Sequence, residues 1–513
     1  MENEITTEPV QTSNGSMSTE VANFKMVAKT LKGLEAVLAD ELRGLGAQNV
    51  EPGRRMVSFE GNLEMLYRAN LSCRTALKIL KPFYTFTAKN TDELYDRVKE
   101  FDWGTLMTPE STFSLDTVMN SDSFTNSRFV TYRVKDAIAD WFTDRYNSRP
   151  SVRLGDAKVM INVHVHDDRI TLSLDSSGES LHHRGWRKAT TEAPISEVLA
   201  AGILLISGYD GSTPLVDPMC GSGTFLVEAA MIAARINPGV FRTNYAFKNW
   251  PDFDEELFDR LWNDDSAERV PPCLIKGGDI LPSAVEVAKK NLKAAGVSKF
   301  VEVEVKPLSA WTEAPAQEGK LVMNPPYGER ISAPDMDALY QLIGERLKNV
   351  FVGWEAWIIG YREEYFHKIG LAPSVKMSLM NGSLDCELRE YIIFAGNKRD
   401  FRASGGKLKD EPRPQFNKTD RKVNGPRKGG KPGDRKSAPR RPSDRKPFEK
   451  KPFERKPFER KPQFERPEPV ESENPLAMRR NPNALKSITA SGPKLPPSAG
   501  PIMRSRGWKK KSE

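Results

Sequence analysis

The stretch "TPLVDPMCGSGTFLVEAAMIAARI", residues 213–236, restricts the possible folds more than any other. An apolar pair, Leu215-Val216, runs into Asp217. A turn through Gly221 and Gly223 follows, and then a long apolar segment opening at Thr224. This pattern predicts a short buried strand, a glycine turn and a buried helix. The unit recurs. "CLIKGGDILPSAVEVAKKNLKAAGV" reads as strand, acidic turn and helix. "FVEVEVKPLSAW", "KLVMNPPYGER", "ALYQLIGERLKNVF" and "WEAWIIGY" continue the alternation. Alternating strands and helices predict an open, parallel, doubly wound α/β sheet. An aromatic, acidic insertion between Ile236 and Pro272 is expected to be a loop with a short helix packed outside that sheet.

In such a sheet, ligands bind beyond the carboxyl ends of the strands. Three motifs fall there. The first is "DPMCGSGT", comprising Asp217, Pro218, Met219, Cys220, Gly221, Gly223 and Thr224 around its turn. Phosphate loops and dinucleotide folds also use glycine pairs, but the Lys-Ser/Thr of a P-loop is missing. An Asp leading the turn would repel a pyrophosphate and suits a cationic amino group. The second is "GGDI", where Asp279 can accept hydrogen bonds from ribose hydroxyls and Ile280 follows. Together the two acids suit a nucleoside that carries a positively charged amino acid, as S-adenosylmethionine does. Helix capping is the alternative use of both aspartates.

The third motif, "NPPYGER", weakens that alternative. Two prolines end the strand, because neither has an N–H for the ladder. Asn324 and the carbonyls of Pro325 and Pro326 can accept both N–H groups of a planar amine, while Tyr327 can stack on its ring. This is a receptor for an exocyclic or amide NH2.

Before residue 177, short strands and helices mix in an α+β region. "FKMVAKT" predicts a strand, and "LKGLEAVLADELRGLG" a helix with Leu34, Val37, Leu38, Leu42 and Leu45 on one face, stopped at Gly46. "KVMINVHVHDDRITLSLD" predicts a hairpin turning on Asp167-Asp168. His164 and His166 share a face there. No third ligand joins them, so no metal site is expected.

Charge divides the chain. Residues 398–513 carry 34 Lys and Arg against 14 Asp and Glu, a balance of +20, while the whole chain stands at +8. The remainder is therefore acidic, at −12. The tail is rich in Pro and repeats "KPFER", which predicts a disordered, extended segment able to meet nucleic-acid phosphates and unpaired bases. Its glutamates count against that binding. Cys73, Cys220, Cys273 and Cys386 are too scattered for a disulfide framework or zinc knuckle, which fits a cytoplasmic location. No apolar run is long enough to span a membrane. Residues 1–23 are acidic and polar, unlike a signal peptide, and are expected to be a disordered leader.

The series "DPMCGSGTFLVEAA", "GGDI" and "NPPYGER" resembles class I S-adenosylmethionine-dependent methyltransferases that act on amines. "LHHRGWRKATTEAPISEVLAAGIL", "PLVDPMCGSGTFLVEAAMIAA" and "NPPYGER" are more closely similar to the RlmL family of bacterial 23S rRNA guanine-N2 methyltransferases. "VANFKMVAKTLKGLEAVLADELRGLGA" and "INVHVHDDRITLSLDSSGESLHHRGW" resemble that family's ferredoxin-like and THUMP parts. The resemblance implies a ferredoxin-like segment at 24–64, a THUMP RNA-binding domain at 65–176 and a Rossmann-like catalytic domain at 177–397. It implies that Asp217, Gly221 and Gly223 line the methionine part of the cofactor, Asp279 holds the ribose and Leu308 faces adenine. It further implies that Asn324, Pro325, Pro326 and Tyr327 hold the guanine amino group. Pro307 stands where many class I enzymes place an acid. Larger members fuse a second methyltransferase domain, which this sequence lacks, so a single modification is expected. An adenine-N6 or glutamine-amide methyltransferase is the rival enzyme, and an inactive RNA-binding assembly factor the rival from another class.

Overall fold

The computed structural model describes residues 23–155, 157–191, 194–327 and 333–396. The leader, the basic tail and residues 328–330 of the third motif lie outside the described residues.

The N-terminal body holds strands β1 (Phe24–Lys29), β2 (Gln48–Gly53), β3 (Met56–Gly61), β4 (Lys78–Thr87), β5 (Thr112–Asn120), β6 (Ser151–Val152), β7 (Val159–His166) and β8 (Arg169–Asp175). They form one sheet in the order β2-β3-β1-β4-β8-β7-β5-β6. Its helices are α1 (Glu35–Gly44), α2 (Leu63–Ser72), α3 (Thr91–Glu100) and α4 (Ser127–Tyr146). The ferredoxin-like and THUMP segments, expected as consecutive domains, share this sheet. Strand β4 pairs antiparallel with β1 on one side and β8 on the other. Helix α1 forms where Leu38 and Leu42 bury one face, and it ends before Gly46, whose φ of +91° suits only glycine. The β7–β8 hairpin turns at Asp167, with φ +54°. Strand β2 was not foreseen. It is a polar, mostly exposed edge strand without apolar alternation, held by its ladder to β3.

The C-terminal body holds β9 (Leu215–Asp217), β10 (Ile275–Asp279), β11 (Val301–Val305), β12 (Gly319–Met323), β13 (Trp354–Gly360), β14 (Val375–Asn381) and β15 (Leu384–Ile392). Their order is β11-β10-β9-β12-β13-β15-β14. The first five are parallel, and β15 runs antiparallel to both neighbours. Helices α5 (Glu197–Ile206), α6 (Thr224–Ala233), α7 (Glu255–Trp262), α8 (Pro282–Ala294), α9 (Ala333–Asn349) and α10 (Glu363–Phe366) complete it. Every residue of α6 is buried, which explains a helix apolar all round. The parallel neighbours of β9 are β10 and β12, so the strand order reverses there and a crevice opens at the carboxyl ends.

The insertion does contain a short helix, α7, but its aromatic residues serve the N-terminal body. Tyr245, Phe247, Trp250, Phe258 and Leu261 join the core around Tyr67 of α2. The Tyr67 ring centroid lies 4.6 Å from that of Phe247 and 5.7 Å from that of Phe258. Arg242 donates to the carbonyls of Ser177, Glu179, Ser180 and His183 and so ties the insertion to the inter-body segment. Leu34 enters the C-terminal core beside Gly202, where a Cβ would lie 2.7 Å from its methyl carbon. Buried charges also cross the junction. Arg74 donates to the Ile236 carbonyl at 2.6 Å, and Arg184 reaches the Arg74 carbonyl and Glu228 of α6. No helix among the described residues is long and apolar enough to cross a membrane.

Candidate active site

Strand register brings the three motifs to one sheet edge. Gly277 of β10 lies beside Asp217, and Leu321 of β12 beside Val216. Asp279 ends β10 and Asn324 follows β12, the two strands that flank β9, and each stands two residues past the level of Asp217.

The glycine turn is built by close approach. Gly221 and Gly223 have φ of +52° and +79°. A Cβ on Gly223 would sit 3.0 Å from Ala288 Cβ of α8. A Cβ on Gly277 would lie 2.4 Å from Leu226 of α6. The Asp279 carboxylate accepts N–H groups from Gly221 and from Leu281, both at 2.9 Å. A carboxylate has about four lone-pair positions, so capacity for a diol remains.

Asp217 is buried and accepts one hydrogen bond among the described residues, from the Met219 N–H at 3.2 Å. Burial pushes its carboxyl up to about 8, with Asp279 adding to the effect. A buried acid without a cationic partner among the described residues is costly as an anion. An ammonium group placed there would stabilise it, so the residues present fit the amino-acid end of S-adenosylmethionine. Beyond Asp279, Ile280 and Leu281 are exposed and offer an apolar surface to a flat ring. Leu308, expected to face adenine, is a buried member of the cluster that holds Val216, Trp311, Leu321 and Met323. Pro218 and Cys220 are likewise buried, Met219 is half-buried, and Thr224 opens α6.

Asn324 follows β12. The Tyr327 hydroxyl donates to Asn324 Oδ1 at 2.7 Å and accepts from Asn381 Nδ2 at 2.9 Å. Burial raises the Tyr327 hydroxyl well above the ordinary tyrosine range, so it stays protonated and can donate. Pro325 is buried and Pro326 exposed. Tyr361, just past β13, places its exposed ring 6.3 Å from that of Tyr327.

Sequence reading missed the residues that brace this site. Asn291 of α8 is fully buried. Its Oδ1 accepts the N–H groups of Lys188 and Ala189 at 3.0 and 3.2 Å, and its Nδ2 donates to the carbonyls of Ala189 and Ser222, both at 2.9 Å. Arg187 donates to Glu197, Ser222 Oγ and Thr224 Oγ1 at 2.6, 3.2 and 3.0 Å. An amide on the apolar face of α8, between Ala288 and Leu292, was the available signal. Among the described residues no three His, Cys, Asp or Glu side chains converge on a metal position.

With this geometry in view, comparison with known proteins is specific. Residues 25–80 match the RlmL ferredoxin-like domain, 88–175 the THUMP domain and 184–390 the RMKL-like methyltransferase domain. A Synechocystis protein described as an RNA methyltransferase is 38% identical over 370 residues, covering 72% of this chain and 96% of its own. The chain belongs to the THUMP-containing, RMKL-like methyltransferase family. The ribosomal RNA large subunit methyltransferase K/L of Syntrophotalea carbinolica is 39% identical over 72% of this family member. The match covers 54% of the Syntrophotalea protein, so the chain spans about half the length of the K/L relatives. SMU.472, described as a methyltransferase and solved with S-adenosylhomocysteine, superposes with TM-score 0.66 at 32% identity, covering 73% of this chain and 99% of its own. A Listeria monocytogenes structure described as an N6-adenine-specific DNA methylase gives 0.66 at 27% identity, covering 72% and 97%. As a member of this family, the chain is a methyltransferase enzyme.

Proposed function

We propose that this methyltransferase uses S-adenosylmethionine to methylate the exocyclic N2 amine of a guanine in large-subunit ribosomal RNA, in the cytoplasm. The observation that carries the reading is Asn324, with its two prolines, at the end of β12 beside the buried, cation-poor Asp217. Asp217 and the Gly221–Gly223 turn receive the amino-acid end of the donor. Asp279 would take the ribose, with Ile280 and Leu308 beside the base. When bound, the donor supplies a sulfonium methyl group open to attack by a nitrogen lone pair. Asn324 Oδ1 and a carbonyl of the proline pair accept the two N–H groups of the substrate amine, and the Tyr327 ring stacks on its base. Alignment does most of the work, and the proton can leave after attack. The THUMP segment and the family's K/L names support RNA as substrate.

The test is transfer of labelled methyl to large-subunit rRNA, DNA and protein in parallel. Label in N2-methylguanine is expected. Asn324→Ala should abolish transfer while S-adenosylmethionine affinity stays within about twofold, because that side chain is assigned to the acceptor alone. Label in N6-methyladenine of DNA would favour the second reading, which the name of the Listeria structure suggests. Failure to bind the donor by calorimetry would favour an inactive assembly factor.

A further inference from the structure

We propose that Asn381 is a positioning residue that sets the polarity of the acceptor site, so that Asn324 offers an oxygen rather than an NH2 group to the substrate. The proposal rests on the reading of Asn324 as the acceptor of amine N–H groups. Asn381 ends β14 and pairs with Leu384 across the two-residue turn Gly382-Ser383, where Gly382 has φ +61°. A turn this short fixes strand register. Alternation puts Asn381 on the face of Leu379, which is fully buried. Leu379 is pinned in turn by Gly33, where an added Cβ would lie 2.6 Å from its methyl carbon. The amide is therefore delivered to one place from a rigid support.

From there the hydrogen bonds run in one direction. Asn381 Nδ2 donates to the Tyr327 oxygen at 2.9 Å, and that hydroxyl, which also meets the Cys386 thiol, donates to Asn324 Oδ1 at 2.7 Å. An N–H donated to a hydroxyl makes the hydroxyl a better donor. The last side-chain torsion of asparagine is broad and nearly two-fold, so without this chain the Asn324 amide can turn over. A turned amide presents N–H groups to an amine that itself presents N–H groups, and the site would then favour a carbonyl or ring nitrogen. Asn381 thus helps select an NH2 acceptor from 57 residues away in sequence.

The polarity makes the test specific. Asn381→Asp is nearly isosteric, but a carboxylate accepts. It would take the Tyr327 hydrogen and leave Asn324 without its donor. Asn381→Ala merely removes the Asn381 donor. Methyl transfer to large-subunit rRNA from cells lacking this gene would be measured for both variants, for Tyr327→Phe, for Asn381→Ala combined with Tyr327→Phe and for Asn324→Ala. Donor affinity and thermal midpoint would be measured alongside. We expect kcat about 10–100-fold lower in Asn381→Ala and lower still in Asn381→Asp, with donor affinity unchanged. The double variant should be no slower than Tyr327→Phe. A purely structural role would make Asp the milder change. Near-normal transfer in either Asn381 variant, or Asp more active than Ala, overturns the inference alone if Asn324→Ala is dead. Full activity in Asn324→Ala overturns both this inference and the function it rests on.

Discussion

Asp217 is the residue where burial and ligand charge oppose each other most sharply. Its carboxyl titrates near 8 in the folded chain and near 3.8 when unfolded. Between those values the folded protein holds a proton that the unfolded chain has lost. The contribution of this group to stability therefore falls as pH rises from about 4 to about 8. Binding an ammonium reverses the preference, because the pair requires the carboxylate. Below pH 8, S-adenosylmethionine should expel a proton as it binds, close to one per site at pH 7. Calorimetry in two buffers of different ionisation enthalpy measures this directly, and donor affinity should rise from pH 6 to pH 8. Asp217→Asn should eliminate the release and weaken binding about 10–100-fold, the worth of a hydrogen bond to a charged group. Binding without proton release at pH 7 would refute the assignment. Asp217 and Asn324 were legible in the sequence because each motif is local, an acid or amide beside the glycine or proline that ends its strand. Arg187, Asn291 and Asn381 were not. Asn291 meets Ala189 across 102 residues, and Asn381 meets Tyr327 across 54.

Elements were legible in proportion to their own periodicity. Helices α1 and α8 each bury one stripe, with glycine or proline marking an end, and the β7–β8 hairpin is marked by its Asp-Asp turn. Strand β2 has no apolar face to read and exists because β3 offers it a ladder. The insertion shows the opposite failure. Its aromatics were visible, but their partner was not, since Tyr67 lies 187 residues before the Asp254 N–H that it accepts. Phe247 is fully buried between Tyr67 and Phe258, so Phe247→Ala leaves a large void. The substitution should cost about 3–5 kcal/mol. Because the void opens in the core of the N-terminal body, urea unfolding should show the loss there first. Donor affinity of the folded fraction should be unchanged. A loss confined to the C-terminal body would contradict the observed packing.

At the scale of the molecule, net charge sets a problem for binding RNA. Residues 1–397 carry a net −12, while the proposed substrate is a polyanion. Binding of phosphates must then depend on local positive groups or on the +20 of residues 398–513. These alternatives predict different salt dependence. Each phosphate neutralised contributes roughly −0.7 to −0.9 to the slope of log affinity against log salt. If the tail makes the phosphate contacts, deleting residues 398–513 should weaken RNA binding at low salt and flatten that slope by several units. Affinity at high salt should change little. The chemical step lies in the C-terminal body, so kcat at saturating RNA should persist while KM rises. Binding and methyl transfer would be measured on the same rRNA fragment from 50 to 300 mM salt. An unchanged slope after deletion would assign the phosphate contacts to the folded bodies. Retained binding with lost kcat would give the tail a part in the methyl-transfer step itself. The expected result, lost affinity with retained turnover, leaves it as a tether that concentrates the net-acidic residues 1–397 on RNA.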